Sequence, residues 1–257
     1  MARRFTSDYR EEATLRDGSR VLFRLVRPGD KQLISDGLAR MSPESRLRRF
    51  FSHRARLSAA ELAYLTELDQ ERHFALAAGR PAGGATDASD GEVGLGVARF
   101  IVLDTDREAG PITAEAAIAV VDEAQGQGLG RMLFERLVIA ASERGVGVFR
   151  FDVLAQNDTM LGLIQSMFPA ASSEIDDGIM TIDCPLPDFS SHVPGDRPDG
   201  MLYRMLKLAA AGAVRVLRGA RESESMSAVL KAGVGFSNDV SDLGELIGLT
   251  DEDGPAP

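Results

Sequence analysis

An α/β fold is predicted from three observations. The apolar pattern switches along the chain from helical spacing to strand alternation and back. A glycine-rich turn, "DEAQGQGLG" at 122–130, stands between a strand-like apolar run and a helix-like one. No apolar run approaches the length of a membrane span. A hydrophobic content of 44% over 257 residues is then that of a soluble globular protein, with chain enough for one large domain, or for one domain and an extension.

The elements follow in order. Residues 1–19 are charged, lack an apolar centre, and read as a poorly ordered arm and not a secretory signal. "SRVLFRLVRP" alternates as a strand that Pro28 ends. "GDKQLISDGLARM" places Leu33, Ile34 and Leu38 at helical spacing. Ser42 before Pro43 opens a second helix. Ser58 with Glu61 three residues on is a capping box that opens a third. The period then falls to two: "RHFALAAG", "EVGLGVARFIVLD" and "ITAEAAIAVVD" read as strands, the last two joined as a hairpin. After the glycine turn, Leu129, Leu133 and Leu137 recur at i, i+4, i+8 in a helix that Gly145 stops. "VFRFDVLA" is a strand, "NDTMLGLIQSMF" a helix that Asn157 caps, and "IMTIDCPL" a last strand. Residues 186–200 form a proline-rich linker. Residues 201–257 read as an amphipathic helical extension with an acidic tail. That helix has three open readings: packing on the domain or on a second copy as a homodimer, lying on an anionic membrane, or gating a partner or substrate.

Composition removes several classes of function. The single cysteine, Cys184, excludes an internal disulfide framework and a multi-cysteine metal site. It also makes a cytoplasmic location the simplest expectation. Three scattered histidines give no zinc pattern, so no metal is expected. A net charge of −10 argues against general nucleic-acid binding. Arginines nevertheless crowd residues 40–56, either as a solvated helix face or as a patch for a phosphate or an acidic partner.

A glycine turn at a helix mouth brings backbone N–H groups close to an anion. The nucleotide P-loop fails here, because Gly130 is followed by Arg131 and Met132. The dinucleotide fingerprint fails at its third small residue, which is Arg131, and its ribose-binding acid would be Asp152 inside an apolar strand. A third pattern, Gln/Arg-x-x-Gly-x-Gly/Ala, matches Gln125, Gly126, Gln127, Gly128, Leu129 and Gly130 at every specified place. An ordinary glycine turn remains the bland alternative.

That motif resembles the pyrophosphate loop of the GNAT acyltransferase superfamily. The order of elements is similar to the GNAT fold, a central mixed, mostly antiparallel sheet flanked by helices. "LARMSPESRLRRFFS", "LSAAELAYLTELDQERHFALAA" and "AEAAIAVVDEAQGQGLG" resemble segments of bacterial protein lysine acetyltransferases. The likeness spans about residues 20–185 and excludes the linker and extension. It implies acetyl-CoA as cosubstrate, with the loop amides of Gln127, Gly128 and Gly130 on the pyrophosphate and Arg131 adding charge. It further implies Val120 and Val121 backbone groups along the pantetheine arm, and Asn157 touching the cofactor. Family members often carry a cation where Gln127 stands, and many carry a tyrosine beyond Asn157 that protonates the thiolate. Neither is present, so the leaving-group acid is unassigned.

Acetyl transfer to an amine requires the neutral amine, and a free lysine is uncharged in only about 0.04% of molecules at pH 7. It also requires donors for a developing oxyanion. Glu115 is the candidate base. In the alternation of "ITAEAAIAVV" it shares a face with Thr113, Ala117, Ala119 and Val121, small neighbours that leave room for reactants. In the lysine acetyltransferases a catalytic glutamate stands at that place. A solvent-facing structural glutamate is the alternative on strand chemistry alone. Cys184 in an apolar strand reads as packing and not as an acyl carrier, and His53 and His73 as structural. Three functions follow: transfer to protein lysines, transfer to a small amine, or an inactive acyl-CoA-binding regulator.

Overall fold

The computed structural model describes residues 3–81, 91–103 and 110–187. The linker, the extension and its tail, and the centres of two inter-strand loops lie outside the described residues.

The chain runs β1 (Arg10–Thr14), β2 (Arg20–Leu25), α1 (Lys31–Ala39), α2 (Pro43–Phe50), α3 (Ala59–Thr66), β3 (His73–Pro81), β4 (Glu92–Val102), β5 (Ile112–Val120), α4 (Leu129–Ser142), β6 (Val146–Leu154), α5 (Asp158–Met167), β7 (Ser172–Asp176) and β8 (Ile179–Pro185). The eight strands form one sheet in the order β1-β2-β3-β4-β5-β6-β8-β7. Every pair is antiparallel except β5 with β6. That exception follows from connectivity, since α4 carries the chain back to start β6 alongside β5. The expected mixed, mostly antiparallel α/β sheet is therefore observed.

The helix starts obey their capping residues. The Ser42 hydroxyl accepts from Ser45 N–H, and Ser58 forms its capping box with Glu61. Asn157 accepts from Met160 N–H at the mouth of α5. The alternation in the strands puts Phe74, Phe100, Phe149 and Phe151 on one face in a chain of ring contacts, stacked, tilted and edge-on in turn, with centroids 5.3–5.9 Å apart. Leu129, Leu133, Phe134 and Leu137 of α4 cover that face and are fully buried. Gly96 permits the approach: a Cβ there would lie 2.9 Å from Leu133 Cδ1 and 3.0 Å from the Ala119 carbonyl.

The expected N-terminal arm is corrected. Phe5, Tyr9 and Leu15 belong to the core, and β1 pairs along its whole length with β2. Phe5 packs edge-on to Phe74 at 6.2 Å and against Tyr9 at 4.5 Å. Arg136 of α4 reaches Glu11 at 2.6 Å and lies over the Phe23 ring at 3.9 Å. Charged residues dominate this segment in sequence, and two of its partners, Arg136 and Glu143, lie more than a hundred residues away, where local composition cannot show them. The strand β7 was also not predicted. It is exposed at every residue, so no apolar alternation marks it. Among the described residues no helix is long and apolar enough to cross a membrane.

Candidate active site

The sheet splits at its centre. Parallel pairing of β5 with β6 runs from Ile112↔Val146 to Glu115↔Arg150 and then stops, while β5 stays paired to β4 as far as Gly96↔Val120. A cavity of about 510 Å³ occupies the split, lined by Glu115 to Val120 on one side and Phe151 to Val153 on the other. Val121 N–H donates to Leu95 O at 2.9 Å. Antiparallel alternation then turns the backbone groups of Val121, Ala119 and Ala117 toward β4, and those of Ala116, Ile118 and Val120 toward the cavity. The expectation for Val120 fits this geometry. That for Val121 is corrected, because its amide is spent on Leu95 and its side chain is buried.

The glycine loop closes one end. Gly126 and Gly128 have φ of +74° and +89°, the left-handed region that glycine adopts without strain. Gly128 is the N-cap of α4 and no side chain caps the helix, so the first-turn amides remain available to a ligand. Gly126, Gly128, Gly130 and Arg131 all line the cavity. Gln125 does too, but its amide nitrogen turns back to Val120 O (3.1 Å), Ser45 Oγ and Asp122 Oδ1 (both 3.3 Å). It buckles the loop to β5 and α2. Leu129 is fully buried in the core, and neither it nor Gln127 lines the cavity. The expectation for Gln127 is a main-chain one, its backbone N–H. Arg131 donates to Ser166 Oγ at 2.8 Å. Asn157 lines the cavity while its Oδ1 caps α5.

Glu115 stands at the other end of the split and is 5% exposed. It lies among cations. Arg49 of α2 lines the same cavity, and burial pulls its guanidinium down to about 10 against the opposing charge of Glu115. Arg99 of β4 is likewise pulled down to about 10 by burial and by Arg49. Its Nη2 lies 2.8 Å from His73 Nε2 and 3.3 Å from Leu65 O. A guanidinium can only donate, so Nε2 of His73 accepts and the ring is neutral. Burial and the Arg99 charge push His73 down to about 4. The Tyr64 ring sits 4.9 Å from that of His73, and its phenol is raised mainly by burial. On the far wall, Asp152 Oδ1 accepts from Thr181 Oγ1 at 2.7 Å.

The sequence reading found the glycine loop, Glu115 and Asn157, and the fold brings all three to one cavity. It missed Arg49, Arg99 and Arg16. Arg99 had a signal, a lone cation in the apolar run "GVARFIV". Arg49 was one arginine among many, and only the fold chooses it. Cys184 is fully buried with its thiol raised by burial, as packing requires. Among the described residues no cluster of three or more His, Cys, Asp or Glu could hold a metal ion.

The mixed sheet thus splits beside an uncapped, glycine-rich helix mouth. Residues 47–168 match the model of the Acetyltransferase (GNAT) family. It is 35% identical over 147 residues to Acetyltransferase Pat of Mycolicibacterium smegmatis, covering 57% of this chain and 40% of that protein. It is 28% identical over 133 residues to an acetyltransferase of Pseudomonas aeruginosa, covering 51% of this chain and 65% of that one. The chain thus spans less than two thirds of the length of either relative. The GNAT domain of PAT from S. lividans superposes with a TM-score of 0.60 at 25% identity, over 71% of this chain and 99% of that domain.

Proposed function

We propose that the protein is an acetyl-CoA-dependent N-acetyltransferase that modifies lysine side chains of proteins, with Glu115 as general base. One observation carries this reading: a single cavity joins the uncapped glycine loop at one end to a buried carboxylate at the other, along a strand edge no longer paired to β6. The residues present fit acetyl-CoA. The amides of Gln127, Gly128 and Gly130 would hold its pyrophosphate, helped by Arg131. Main-chain groups of Ile118 and Val120 would pair with its amide-bearing arm as an added strand does. The bound cosubstrate supplies an activated acetyl thioester.

The remaining chemistry belongs to this chain. A carboxylate of Glu115 takes the proton from the acceptor ammonium and leaves a neutral amine able to attack. Arg49 and Arg99 assist, because positive charge nearby disfavours the ammonium and favours the neutral form. The lysine acceptor rests on the resemblance of residues 38–130 to protein lysine acetyltransferases and on the likeness to Pat and PAT. It is a reading of specificity, separate from the reading of chemistry.

The test is transfer of labelled acetyl from acetyl-CoA into extract proteins and a panel of small amines, beside Glu115→Gln. Label on protein lysines is expected, falling about 10²- to 10⁴-fold in the variant while acetyl-CoA still binds. Label on small amines alone would overturn the lysine acceptor. Binding without transfer to either would overturn the enzyme reading in favour of a regulator.

A further inference from the structure

We infer that Arg16, on the turn between β1 and β2, supplies to the CoA diphosphate the cation that the glycine loop lacks at Gln127. The inference rests on the acetyl-CoA reading above. Arg16 N–H donates to the Gln127 carbonyl at 3.2 Å, which pins the turn to the loop. Its side chain lies over the N-cap of α4: a Cβ built on Gly128 would be 3.7 Å from Arg16 Nε and 4.0 Å from its Cγ. Arg16 also lines the cavity that Gly126, Gly128 and Gly130 line.

The charge of Arg16 is not spent elsewhere among the described residues, where it makes no ion pair. The neighbouring carboxylate, Asp17, is turned onto Ser19, accepting from its N–H at 2.9 Å and its hydroxyl at 2.7 Å. The other cation at this end, Arg131, is held to Ser166 and lies 4.0 Å from Glu135. A guanidinium beside a glycine loop suits a diphosphate, because its planar fork can bond two oxygens at once. The chain carries a net charge of −10, so an anionic ligand depends on local cations for its attraction. Gly128 also matters here, since a side chain at that position would come between Arg16 and the ligand.

The experiment is calorimetric titration of the full chain and of Arg16→Gln and Arg16→Lys with CoA and with 3′-dephospho-CoA, at low and at moderate salt. Arg16→Gln is expected to weaken both ligands by about tenfold, the size of one lost charge-assisted bond. The loss should shrink as salt screens the charge. Arg16→Lys should recover part of it, since an ammonium keeps the charge but not the two-oxygen fork. Arg16 is exposed, so melting temperatures should not move. Affinity within about twofold of the unaltered chain in Arg16→Gln would overturn the inference. So would a loss confined to the ligand bearing the 3′-phosphate, or a failure of lysine to rescue. If the unaltered chain bound neither ligand, the acetyl-CoA reading itself would fall, an outcome distinct from these.

Discussion

His73 is a neutral ring held against a guanidinium, and that arrangement has a cost that depends on pH. Its pKa is about 4 in the folded chain, against an ordinary value of 6.5. Between those values the unfolded chain binds the proton and the folded chain does not, so stability rises with pH across the window. The contribution is complete above about pH 6.5 and is lost as pH falls toward 4. Urea unfolding at pH 7 and pH 5 should show the unaltered chain losing stability, and His73→Gln losing less over the same interval. An equal loss in both would place the proton uptake elsewhere. The same ring holds Arg99 in place, and the charge of Arg99 is felt in turn by that of Arg49 in the cavity wall.

At the scale of elements, the segment before β2 is the informative one. Phe5 is 1% exposed and lies against Phe74 in the central sheet, so it is core despite its place near the start of the chain. Phe5→Ala is expected to cost about 3 kcal/mol, the low end for truncating a buried phenylalanine, read as a lower urea midpoint at unchanged slope. A disordered arm would cost nothing. This element also shows where sequence reasoning stops. Helix starts were legible because a cap is local: Ser42, Ser58 and Asn157 each bond within three residues. Strands β3 to β6 were legible because each is a short, largely apolar run bounded by turn residues. β1 was hidden because its stabilising partners are the Arg136 charge and the Phe23 ring, and β7 because it buries nothing. The site divides in the same way. A glycine motif and an alternating glutamate are local patterns, whereas Arg16, Arg49 and Arg99 become site residues only when sheet order brings distant segments together.

For the molecule as a whole, the cavity draws on segments scattered from Arg16 to Ser166, all gathered by one sheet. The β1–β2 turn reaches the glycine loop over the end of α4. Helix α2 brings Arg49 over β5, and α5 closes the wall opposite. Because the parallel pairing of β5 with β6 stops at Glu115↔Arg150 while each strand stays paired to its antiparallel neighbour, the sheet opens between them. Every described residue that lines the opening belongs to the unit completed by β8, as do the described residues of the core. A chain ending after residue 187 is therefore expected to unfold in a single cooperative transition and to bind CoA with a Kd within about threefold of the full chain, since it keeps every described cation and amide of the cavity. Calorimetry on both forms would check it. A loss greater than about tenfold would mean that residues 188–257 contribute directly to the ligand. The diphosphate end of the cavity would then have a second source of charge besides the β1–β2 turn.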